Sequence, residues 1–149
     1  MRRLQIPAAV ERLAEVRAFV RESVAELGGS KRTADDLVQA VDEATCNVML
    51  HGYDGQPGSI DVEVALRDRN IEITVLDRAP VFDPTARPDP TAATSARRRP
   101  GTAGVGLHLA RTMTDAVRHH VRPGGGNEVT LVRAIDDRTD GETDPAEEG

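Results

Sequence analysis

Two runs of strict alternation, separated by three turn residues, constrain this chain most. Ile60, Val62, Val64 and Leu66 alternate with Asp61, Glu63 and Ala65, while Ile71, Ile73 and Val75 alternate with Glu72 and Thr74. Asp68-Arg69-Asn70 stands between the runs. Period-two alternation places one apolar row on a single strand face, and a short polar break between two such runs predicts a strand hairpin.

The flanking segments change period. Residues 3–6 read as a short strand, and after Pro7 the residues Val10, Leu13, Val20, Val24 and Leu27 fall on one helical stripe that Gly28-Gly29 stops. A second helix is predicted from Ser30 or Thr33 to about His51, with Leu37, Val41, Ala44 and Val48 on its apolar face. Gly52-Tyr53-Asp54-Gly55 ends it. From Pro80 to Pro100 a Pro-, Ala- and Thr-rich stretch is too long for an ordinary connection and reads as a lid or a disordered loop. A third helical pattern (Val105, Leu107, Leu109, Ala110, Met113) follows Gly101. Two strands, Ala116–Arg122 and Val129–Ile135, are joined by Gly124-Gly125-Gly126-Asn127. This order predicts an α/β two-layer sandwich, with helices on one face of a mixed, mainly antiparallel sheet.

Composition narrows the class. The 149 residues suit one domain with a real core. Seven of 25 acidic residues lie in 136–149 against Arg138 alone, which leaves residues 1–135 formally neutral. The expected organisation is a domain over 1–135 and an acidic, disordered tail over 136–149. A neutral body with no Trp, one Tyr and two Phe argues against nucleic acid as a partner. Cys46 is the only cysteine, which excludes an internal disulfide and reads as a small core residue in a reducing compartment. No stretch is apolar enough to span a membrane and no signal peptide develops, so the expectation is a cytoplasmic protein.

Several residues can carry chemistry, each with a plainer alternative. Glu43 and Asn47 are spaced i, i+4 and share one helix face. Such an Asn offers a neutral oxygen to Mg²⁺, and such a Glu can orient or deprotonate a hydroxyl. A solvated helix face is the plainer reading. Asp77 ends a strand, where it either meets a ligand or initiates a turn before Pro80. Gly101, Gly104 and Gly106 open the third helix, either as a phosphate-receiving N-terminus or as a hinge. Arg97-Arg98-Arg99 reads as a solvated run. His51, His108, His119 and His120 have no metal-binding spacing and are taken as structural.

In order, the segments Asp42 to Tyr53 (DEATCNVMLHGY), Val75 to Pro84 (VLDRAPVFDP), Gly101 to Ala110 (GTAGVGLHLA) and Gly126 to Leu131 (GNEVTL) resemble the ATP-binding blocks of the GHKL, or histidine-kinase-like, ATPases. The closest resemblance is to the anti-sigma-factor serine kinases, and it spans about residues 3–135. It implies a Bergerat-type fold, ATP and Mg²⁺ as cofactors, Asn47 as the metal ligand, Glu43 as the base and Asp77 as acceptor of the adenine amine. Ala79, Gly101, Gly104, Val105, Gly106, Leu107 and Thr130 join as nucleotide contacts, and Val81 through Gly101 as the ATP lid. At Ala79 the family usually has Gly, so a methyl group is accommodated there only if the backbone avoids φ > 0.

The resemblance implies an enzyme that phosphorylates a serine of an anti-sigma-factor antagonist and thereby controls a sigma factor, with a homodimer as its assembly. The competing class is a binding module that sequesters a sigma factor or another regulator without transferring phosphate. A metabolic ATPase or nucleic-acid enzyme is disfavoured by the neutral body, the missing aromatics and the size.

Overall fold

The computed structural model describes residues 1–54, 56–80 and 108–135. Strand β1 (Arg2–Pro7) precedes helices α1 (Leu13–Glu26) and α2 (Lys31–Asn47). Strands β2 (Ser59–Arg67) and β3 (Asn70–Asp77) follow, then α3 (His108–Met113), β4 (Ala116–Val121) and β5 (Asn127–Ala134). The sheet order is β1-β2-β3-β5-β4.

The predicted hairpin forms, with its apolar rows buried from Ile60 to Val64 and from Ile71 to Val75, while Leu66 beside the turn is 44% exposed. Asp68 (φ 48°) and Arg69 (φ 68°) make a tight two-residue turn that sets Arg67 opposite Asn70. Val62 and Val64 then face Val75 and Ile73 and are fully buried. Against these rows pack Val16, Val20 and Val24 of α1, with Leu37, Val41, Ala44 and Val48 of the second helix. The two-layer α+β sandwich is as expected. The sheet is antiparallel in every described pairing rather than mixed, because the β4–β5 hairpin docks β5 beside β3 in the opposite direction.

Local signals fix the helix ends. Ser30 Oγ accepts from Thr33 N–H at 3.0 Å and caps α2. Gly28, at φ 91°, ends α1, with Gly28 N–H donating to Ala25 O and Gly29 N–H to Val24 O. Two details differ from expectation. Val10 belongs to a short 3₁₀ turn and is 53% exposed, so the first apolar stripe begins at Leu13. Cys46 is only half-buried at the rim of the core. The segment 81–107, including the expected lid, the Arg97–Arg99 run, Gly101, Gly104, Val105, Gly106 and Leu107, lies outside the described residues, as does the acidic tail.

Candidate functional site

The site is built where the C-terminal ends of α2 and β3 meet. After Asn47 the helix widens into one π-helical turn over Val48–Gly52, closed by Tyr53 N–H donating to Val48 O at 2.8 Å. Such turns recur where a helix must aim a functional side chain. The Tyr53 phenol then joins three segments: it donates to Ser59 O at 2.8 Å and accepts from Arg78 N–H at 2.8 Å. Its ring lies over Gly58, where a Cβ would come within 2.3 Å of the ring. Tyr53→Phe is expected to remove both part-buried hydrogen bonds, to Ser59 O and from Arg78 N–H, and to cost about 1 kcal/mol, measured by thermal or denaturant unfolding.

Glu43 and Asn47 do share a face of α2, one turn apart. Asn47 is buried, at 8% exposure. Glu43 Oε1 accepts from the backbone N–H of Ala110 at 2.7 Å, so this carboxylate fastens α3 to α2. The neighbouring acid, Asp42, takes two hydrogen bonds from the Arg17 guanidinium, at 2.8 and 3.2 Å. That bidentate pair commits Asp42 to tying α1 to α2 and separates it in role from Glu43.

Asp77 closes β3 and is 1% exposed. Its Oδ1 accepts from Ala79 N–H at 2.8 Å and from Asn127 Nδ2 at 3.0 Å. The first contact is the turn-initiating geometry that the plainer reading of Asp77 called for. Its Oδ2, however, is buried with no hydrogen-bond partner among the described residues. An orphaned carboxylate oxygen costs desolvation unless a donor reaches it. Burial pushes the Asp77 carboxyl above its usual range, while the hydrogen bonds from Asn127 and Ala79 and the Arg122 guanidinium oppose that shift.

The turn before β5 reaches Asp77 closely. Gly126 sits at φ 105°, and a Cβ there would fall 2.1 Å from Asp77 O. Arg122 Nη1 donates to the same carbonyl at 2.9 Å. Asn127, fully buried, lies opposite Asp77 in the register. Thr130 does not join this group. It is three residues further along β5, so alternation turns it to the other sheet face, beside Thr74 and Arg118. Ala79 is buried at the site and is not among the residues with positive φ, so its methyl group brings no backbone strain.

Sequence reasoning gave no part in this site to Tyr53 or Asn127. Asn127 and Tyr53 stood inside the quoted segments, but only the strand register and the fold of the helix end give them partners. Among the described residues no group of His, Cys, Asp or Glu is placed to hold a metal by itself. An ion that retains water and phosphate ligands needs only one or two protein oxygens, and the side-chain oxygen of Asn47 is chemically suited to supply one.

The histidine kinase-like ATPase domain family matches residues 6–133. The chain belongs to this family. Within it, the ATPase domain is 29% identical to serine-protein kinase RsbW of Bacillus pumilus, over 94% of this chain and 90% of that protein. It is 25% identical to anti-sigma F factor of Clostridium acetobutylicum, over 78% of this chain and 84% of that one. Among solved structures, the RsbU and RsbW domains of Rv1364c from Mycobacterium tuberculosis superpose with a TM-score of 0.62 at 26% identity. That match covers 91% of the ATPase domain's chain but a third (33%) of the longer protein. The SiaB–SiaC complex of Pseudomonas aeruginosa shares the fold, at a TM-score of 0.61 and 13% identity. No described helix is long and apolar enough to cross a membrane.

Proposed function

We propose that this domain is an ATP- and Mg²⁺-dependent protein-serine kinase acting on an anti-sigma-factor antagonist. The observation that carries the reading is the buried, unpartnered Oδ2 of Asp77 at the carboxyl end of β3. An acceptor-only oxygen in a closed wall suits the exocyclic amine of adenine and repels the carbonyl that guanine presents instead. Asn47 supplies a neutral oxygen to Mg²⁺. When bound, ATP–Mg²⁺ supplies the phosphoryl group that a protein serine accepts. Glu43 keeps Oε1 on Ala110 and uses its other oxygen to orient the serine hydroxyl and take its proton. The glycines at 101, 104 and 106, with Val105 and Leu107, belong to this reading as phosphate contacts. So do a sigma factor as second partner, a homodimer and a cytoplasmic location. The relatives named as a serine-protein kinase and an anti-sigma factor support it.

A second reading, a regulator that binds its partner without transferring phosphate, is favoured by the hydrogen bond that holds Glu43 to α3. Radiolabelled ATP with a candidate antagonist separates the two: label on the antagonist's serine supports the kinase, and complex formation without label supports the regulator. Glu43→Gln sharpens the test because the amide oxygen still accepts from Ala110. Transfer is expected to fall by at least about 100-fold, with ATP binding and melting temperature close to wild type. Retained transfer removes Glu43 from the role of base.

A further inference from the structure

The outward side of α2 turns apolar toward its C-terminal end. Helix α1 takes one flank, where the Arg17 guanidinium holds Asp42 at 2.8 and 3.2 Å. Helix α3 takes the other, where Ala110 N–H donates to Glu43 at 2.7 Å. Between the flanks run Gln39, Glu43, Cys46 and Leu50, spaced three or four residues apart as one row of a helix surface requires. Gln39 is exposed and Cys46 half-buried. Leu50 stands in the π-helical turn and is 53% exposed, while its neighbours Val48 and Met49 are buried.

A single exposed leucine is ordinary on a protein surface; its place is what distinguishes this one. Among the described residues the other large apolar side chains left exposed lie elsewhere: Met1 opens the chain, Val10 is in the 3₁₀ turn, Leu66 is beside a hairpin turn and Val121 ends an edge strand. Leu50 alone shares the row of Glu43. Arg17, beside the row, is already matched by Asp42, so a charged segment gains little there and the row offers apolar contact instead. Glu43 and Leu50 are seven positions apart, about 10 Å along a helix at 1.5 Å per residue. An extended chain covers that span in about three residues.

We propose that Leu50 is the docking contact for the protein substrate, receiving an apolar side chain about three residues from the phosphoacceptor serine while that serine lies at Glu43. This rests on the reading of Glu43 as the base that takes the serine proton. It adds a specificity contact that neither nucleotide nor metal touches.

The test uses the full chain and the antagonist of the transfer assay, with wild type, Leu50→Gln, Leu50→Met and, as a remote exposed control, Leu66→Gln. Leu50→Gln is expected to raise KM for the antagonist about tenfold with kcat close to wild type, the pattern of a lost contact made equally before and during transfer. Leu50→Met keeps the apolar surface and should restore KM, and Leu66→Gln should leave it unchanged. An unchanged KM in Leu50→Gln overturns the docking contact and leaves the kinase reading standing, whereas no transfer by wild type overturns both. Weaker ATP binding in Leu50→Gln by calorimetry makes Leu50 part of the nucleotide pocket, and an altered sedimentation coefficient makes it a contact between copies; either overturns the proposal. A photo-crosslinking benzoylphenylalanine at position 50 gives a second reading. It is expected to join the antagonist peptide that carries the labelled serine, and a crosslink to residues 81–107 of the same chain overturns the proposal.

Discussion

Asp77→Asn is expected to lose ATP and gain stability. The replacement keeps an oxygen in the Oδ1 position, so the hydrogen bonds from Ala79 and Asn127 survive, and it removes a desolvated charge from a 1% exposed site. In place of the unpartnered Oδ2 it sets an amide N–H₂, which faces the adenine amine donor to donor. Affinity for ATP should fall by about 100-fold or more, equivalent to about 3 kcal/mol, in a calorimetric titration. The melting temperature should rise by about 2–4 °C, because a buried charge whose second oxygen lacks a partner is a cost to folding. A variant that binds ATP normally would remove Asp77 from base recognition.

The pH dependence follows from the same carboxyl, with opposite signs for binding and for folding. Its folded-state pKa is raised, chiefly by burial, above that of the unfolded chain. Between those two values the native state holds a proton that the unfolded chain has released. The stability this contributes is present at low pH and is lost as pH rises through the folded value. ATP binding needs the ionised form, so affinity declines as pH falls through that same value, above the ordinary aspartate range. In Asp77→Asn both dependences should vanish together.

Gly126→Ala should be the most damaging single methyl group in the described structure. Its φ of 105° is one that an alanine adopts only with strain, and the added Cβ would fall 2.1 Å from Asp77 O and 2.9 Å from Arg78 Cα. Backbone on both sides of the contact leaves nothing flexible to yield, so the expected loss is about 3 kcal/mol or more in denaturant unfolding. Gly125→Ala is the matched control: its φ is 109°, but a Cβ there meets nothing within 4 Å, so it should carry the conformational strain alone, about 1–2 kcal/mol. Equal losses in the two variants would show that the approach of this turn to Asp77 does not matter to folding.

The fold was legible wherever one physical period dominated. The rows Ile60–Val62–Val64 and Ile71–Ile73–Val75, and the stripe Leu37–Val41–Ala44–Val48, are all buried as alternation and helical spacing require. Val10 fell out because a residue can match a helical phase and still precede the first turn that packs. Asp77 was open to two readings that turn out to concern different atoms, Oδ1 in the turn and Oδ2 left unpartnered. Which residue of β5 faces Asp77 depends on strand register, which local sequence does not state, and the register sets Asn127 opposite Asp77 with Thr130 on the other face.

Both carboxylates of the proposed site divide their labour between their oxygens. At Glu43 one oxygen fastens α3, and at Asp77 one oxygen holds the turn and Asn127. In each case these contacts fall on one oxygen, and the proposed function assigns the chemistry to its twin. A carboxamide at either position keeps the scaffolding atom and replaces only the other. A catalyst and a silent binding protein of this architecture can therefore stand one atom apart, equally well folded, and a lineage can cross between them without passing through an unstable intermediate.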